Sequence, residues 1–120
     1  MIDKSYQKLP ACRSAMRLTH AVYVLTQHFP DDEKSGLTAT LKRAAASIPT
    51  QLAESHCQSD TAACARELTE AQTTLRKCAA YLDVAWQLRM TARWRFHTPR
   101  RWALKVSRNL DKMLKNIYQE

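Results

Sequence analysis

The sequence predicts an all-α protein, an antiparallel up-down four-helix bundle, and three observations carry that prediction. Its 120 residues include seventeen alanines and one glycine, and Leu, Arg, Lys, Gln and Glu are abundant, all residues that lose little side-chain freedom in a helix. Apolar side chains recur at three- and four-residue steps along four segments. The connections between those segments are short, which places consecutive helices side by side and antiparallel.

The length fits a single domain, residues 1–120. A domain of that size buries about two-thirds of its unfolded surface, so it needs no disulfide or metal staple. With Gly36 the lone glycine, there is no material for a P-loop, a dinucleotide-binding turn or a series of tight hairpins. Nucleotide-binding α/β folds are excluded on that ground.

The first helix is expected over about residues 10–28. Pro10 opens it, and Ala11, Ala15, Leu18, Val22, Leu25 and Phe29 form its inward stripe. Pro30-Asp31-Asp32-Glu33 follows, a proline and acids suited to the electropositive first turn of a short helix, which Gly36 ends.

The second helix is expected over 38–56, with Leu41, Ala44, Ala45, Ile48, Leu52 and Ala53 inward. Pro49 lies inside that pattern. It lacks an amide proton and crowds the preceding turn, so the expectation is a kink near Ala45 or two shorter helices.

Ser59 or Asp60 can cap the third helix, expected over 60–90 with Ala63, Leu68, Ala71, Leu75, Ala79, Leu82 and Trp86 on one face. Thr98-Pro99 supplies a capping hydroxyl and a proline at the first helical position. The fourth helix should therefore run over 99–118, with Trp102, Val106, Leu110, Met113 and Ile117 inward.

The N-terminal MIDKSYQKLP lacks the apolar core of a signal peptide, and the longest strictly apolar run is Ala21 to Leu25, far short of a bilayer span. A cytoplasmic protein with no membrane contact is expected. There Cys12, Cys57, Cys64 and Cys78 persist as thiols, since their spacing gives no C-x-x-C pair. His56-Cys57 is the one His/Cys doublet, and a zinc site would need Cys64 and a distant fourth ligand. No metal and no cofactor are expected.

The net charge of +8 is local. Residues 1–88 hold ten basic and nine acidic side chains, whereas residues 89–120 hold nine basic and two acidic. At 100° per residue, Arg101, Lys105, Arg108, Lys112 and Lys115 share an arc of roughly 80°, opposite the apolar arc. Like charges at these spacings repel along an isolated helix, and Asp111 beside Lys115 is the sole offset.

Arg89, Arg93 and Arg95 extend the basic character through the turn before this helix, and Arg100 adds a cation at its start. Trp94 and Phe96 place aromatic rings among these cations. Guanidinium groups suit phosphate through paired donors, and aromatic faces stack on unpaired bases. These nine cations are the candidate nucleic-acid contacts, with Trp94 and Phe96 as candidate stacking faces. The competing account is a solvated helix face and rings that plug the end of the bundle.

Catalytic constellations are missing from the sequence. No Glu has a His three residues later, as a di-iron bundle requires. Glu67 and Glu70 read as a solvated pair, and His20 and His28 as isolated surface or core-edge residues. Arg43 and Glu54, eleven residues apart, are expected in an interhelix or intersubunit ion pair.

Between Leu9 and Glu54 the chain resembles the four-helix-bundle family of ribosomal RNA intervening-sequence proteins. Leu9, Ala15, Tyr23, Leu25-Thr26, Phe29-Pro30, Glu33, Gly36-Leu37-Thr38, Arg43-Ala44-Ala45, Ser47-Ile48-Pro49 and Ala53-Glu54 carry the resemblance. Cys12 departs from it, standing where an aromatic is usual, as does Ser55 where glycine is usual. Thr73-Thr74 and Lys77 replace the Gly-Ser and glutamate pattern of the intervening-sequence branch.

Leu75-Arg76, the alanine-rich third helix and the basic final hairpin resemble the branch of accessory variability determinants of diversity-generating retroelements. The family resemblance implies a barrel-shaped homopentamer with a basic surface, and the likeness to the accessory branch a non-catalytic role. That likeness further implies association with a reverse transcriptase, and RNA or DNA binding in support of cDNA synthesis. A ribosomal RNA-associated bundle and a purely structural oligomer are the competing readings.

Overall fold

The computed structural model describes residues 9–31 and 36–118. Four helices fill them: α1 (Pro10–Thr26), α2 (Leu37–His56), α3 (Thr61–Gln87) and α4 (His97–Tyr118), with a 3-10 turn over Arg93–Phe96 leading directly into α4. Among the described residues there is no strand. Each helix packs on its neighbours in sequence, and α4 closes against α1, giving the up-down-up-down arrangement in an envelope of 46 × 30 × 20 Å.

The apolar periods place the core. All six stripe residues named for α1 are buried, as are Leu41, Ala45, Ile48 and Leu52 of α2. From the third and fourth helices, Leu68, Ala71, Leu75, Leu82, Val106 and Leu110 join them. Cys78, Ala85 and Ala103 complete the same cluster, with Ala44, Trp86, Trp102, Met113 and Ile117 packed at its edge. Each fully buried Leu or Ile contributes about 1.5–3 kcal/mol relative to exposure.

The helix ends differ from expectation in ways the backbone explains. α1 stops at Thr26, and α3 stops at Gln87 rather than residue 90. Beyond α3, Arg89 takes φ 54°. Its N–H donates to Trp86 O at 3.2 Å and that of Met90 to Ala85 O at 3.1 Å, the paired bonds of a Schellman end. Asp60 caps α3, its carboxylate accepting from Ala62 N at 3.2 Å.

Thr98 does not cap α4. The helix already begins at His97, because the 3-10 turn feeds it without a break, and Pro99 is buried inside its first turn. The short helix expected at Pro30–Glu33 reaches past Asp31 into residues outside those described.

Pro49 neither breaks α2 nor divides it: the helix is continuous from Leu37 to His56. A hydroxyl from α1 takes over the acceptor that the proline leaves, since Thr19 Oγ1 donates to Ala45 O at 3.0 Å. At the α1–α4 seam, buried Ser14 donates to Asn109 Oδ1 at 2.8 Å. Among the described residues no helix is long and apolar enough to cross a membrane.

Candidate nucleic-acid interface

Helix α4 sorts its side chains by face. Val106 and Leu110 are fully buried, while Arg101, Lys105, Arg108, Lys112 and Lys115 are all exposed. At 1.5 Å per residue these five span about 20 Å of helix. None of them forms an ion pair with a described residue. Asp111, expected to offset Lys115, is engaged elsewhere, accepting from Gln72 Nε2 of α3 at 2.8 Å. The cations therefore stand together with no ion-pair partner among the described residues, an arrangement that attracts an anionic polymer.

The turn residues divide into two groups. Arg93 and Arg100 both lie over the Trp86 ring, at 3.8 and 5.0 Å from its centroid. Arg100 also pairs with Asp83 at 2.9 Å. Arg100, a candidate nucleic-acid contact from the sequence, is therefore on the side of α4 that meets α3, apart from the row of five, and helps fix the hairpin. The pair is largely solvated, so it adds at most about 1 kcal/mol. Arg89, in its left-handed conformation, is exposed at the end of α3.

Arg95 lies 4.4 Å from the Trp94 ring centroid and donates to His28 Nε2 at 2.9 Å, since a guanidinium has no acceptor of its own. Trp94 is 70% exposed and presents an open indole. Phe96 does not fit the stacking role expected of it. It is 1% exposed, and its ring packs 6.1 Å from that of Phe29, where it seals the end of the core.

A cavity of about 370 Å³ opens beside Trp94, between α1 and the start of α4. Arg17, His20 and Val24 line it from α1 and His28 from the turn just after that helix, with Trp94, Arg95, Pro99 and Trp102 on the other side. Arg17 lies 5.8 Å from the Trp102 ring centroid. The first four carry a signal in the sequence: positions 17, 20, 24 and 28 recur at helical steps along the edge of the apolar stripe. Their counterparts on α4 are about eighty positions away, and nothing local joins the two sets.

Other candidates hold little chemistry. Arg43 and Glu54 line one groove with Tyr23 and Glu70, but among the described residues they form no ion pair. Partial desolvation, then the neighbouring Glu70 and Glu54 carboxylates, push the Glu67 carboxyl above its ordinary range. Burial raises the thiols of Cys12 and Cys64, and pushes that of Cys78 up to about 12. Cys57 is exposed at the end of α2. Among the described residues no cluster of His, Cys, Asp or Glu is placed to hold a metal ion.

A four-helix bundle with one cationic face, and with aromatic rings and arginines gathered at one end, defines a class of basic helical bundles. The chain belongs to the 23S rRNA-intervening sequence protein family, whose model matches residues 7–114. The match extends well past Glu54 and takes in α3 and nearly all of α4. No curated protein matches the sequence.

Proposed function

We propose that this protein is a non-catalytic nucleic-acid-binding bundle that holds a phosphate backbone along the exposed face of α4. The observation that carries the reading is the row Arg101, Lys105, Arg108, Lys112 and Lys115, exposed and without ion-pair partners among the described residues. Membership of a family described by 23S rRNA favours structured RNA as the polymer. Arg89 and Arg95 lie at the same end as Trp94 and extend the cationic surface.

A binding titration across salt tests this. Each phosphate contact adds about 0.7 to 0.9 to the slope of log affinity against log salt. Wild-type protein should show a steep slope, and Arg101→Ala, Lys105→Ala and Arg108→Ala together should lower it by about two units with an unchanged melting temperature. Absence of binding at low salt, or a slope unmoved by the triple substitution, removes the reading.

A second reading, association with a retroelement reverse transcriptase, rests on Leu75-Arg76 and the basic α4. Leu75 packs in the core while Arg76 is exposed on α3, leaving the arginine open to a protein partner. Co-purification with the product of a neighbouring reverse transcriptase gene supports it, and a gene lying within a ribosomal RNA operon supports the first reading instead. A homopentameric ring in a reducing cytoplasm belongs to the same proposal. In such a ring the α4 face would recur five times and its contacts would add through avidity.

A further inference from the structure

We propose that the cavity between α1 and the start of α4 receives one unpaired nucleotide, its base against Trp94 and Trp102 and its phosphate on Arg17 and Arg95. The inference deepens the nucleic-acid reading, which the α4 row carries independently. At about 370 Å³ the cavity lies within the range of small-molecule pockets, roughly 300–1,000 Å³.

The lining names the ligand class. Two indoles offer flat, electron-rich faces, which suit any nucleobase. Two arginines supply positive charge at the same place. Arg17 lies over Trp102 at 5.8 Å and Arg95 over Trp94 at 4.4 Å. A guanidinium stacked on a ring donates through its edge, and with one Arg95 N–H given to His28 the others remain for phosphate oxygens. A purely apolar ligand would leave these cations facing hydrocarbon, and a bare inorganic anion would make no use of the rings.

The mouth of the cavity agrees with that occupant. Trp94 is 70% exposed, an unusual position for an indole, and the Arg95 guanidinium stacks on it. The bond from Arg95 to His28 Nε2 ties the turn to α1 and holds the cation in place before a ligand arrives. On α4, Lys105 and Arg101 lie about 60° and 100° round the helix from Trp102. A strand following the row of cations therefore passes the opening, where an unstacked base can turn inward without leaving its phosphates.

The test compares the full chain's affinity for a short single-stranded oligonucleotide and for an abasic deoxyribose-phosphate strand of equal length. Wild-type protein should bind the base-bearing strand more tightly. Trp94→Ala, a change at an exposed position, should weaken that binding about tenfold and leave the abasic strand unaffected. Trp94→Phe should restore part of the loss.

Equal wild-type affinity for the two strands overturns the pocket while leaving the α4 interface in place. An equal loss for both strands in Trp94→Ala also overturns it, since the indole then acts through the turn alone. No binding of either strand overturns the pocket and the interface together.

Discussion

Thr19 on α1 makes good the hydrogen bond that Pro49 removes from α2. Proline has no amide proton to give the carbonyl four residues before it, which here is that of Ala45. Thr19 Oγ1 donates to that oxygen at 3.0 Å and shares its proton with its own helix at Ala15 O, 2.9 Å away. One hydroxyl thereby fixes the register of two packed helices and keeps α2 unbroken across Leu37–His56.

Thr19→Val keeps the shape of the side chain and deletes the donor. It should cost about 1 kcal/mol in urea denaturation followed by circular dichroism. In a Pro49→Ala background the Ala45 carbonyl regains a partner within its own helix, so the same change should cost less. Equal costs in the two backgrounds would show that the hydroxyl does not stand in for the missing amide.

Ile48 and Lys112 test the two faces of the bundle. Ile48 is fully buried, so Ile48→Asp places an unpaired charge in the core and should destabilise by more than about 4 kcal/mol. Lys112→Asp, on the exposed face, should change stability by no more than about 0.5 kcal/mol, because it also relieves repulsion from Arg108 and Lys115. Chemical denaturation of both variants reads the contrast, and similar midpoints would place the core elsewhere.

The Glu67 carboxyl gives a pH signature. Its folded pKa is raised above the ordinary 4.5 by partial desolvation, Glu70 and Glu54. The proton is thus favoured in the folded state, and the associated stability is present below the unfolded value and lost as pH rises through the folded one. Glu67→Gln should melt above wild type at neutral pH, with the gap closing in acid. A gap of constant size from acid to neutral pH would mean that the carboxylates do not interact.

What the sequence made legible follows from periodicity. A face that repeats every three or four residues announces itself, which is why the stripes of α1 and α2 and the cations of α4 could be placed residue by residue. What it hid depends on partners distant in the chain. Pro49 looked like a break because its rescue comes from Thr19, thirty positions upstream. Phe96 looked like a stacking face because a four-residue turn has no period to show that it points at Phe29. Arg100 looked like one more nucleic-acid contact, and the structure ties it to Asp83 and Trp86 on the α3 side. The cavity joins half-patterns from α1 and α4, each unremarkable alone.

Arg89 separates stability from binding. It is a non-glycine residue at φ 54°, in a Schellman end whose left-handed position usually falls to glycine, and a side chain with a Cβ pays about 1 kcal/mol or more there. Arg89→Gly should therefore stabilise the bundle by about 1 kcal/mol, a few degrees in melting temperature. The same change removes a cation from the end of the interface, so nucleic-acid affinity should fall and the salt slope should shrink by just under one unit. Calorimetry and the salt titration read the two effects on one variant. A rise in melting temperature with undiminished affinity would confine Arg89 to the helix end and exclude it from the binding surface.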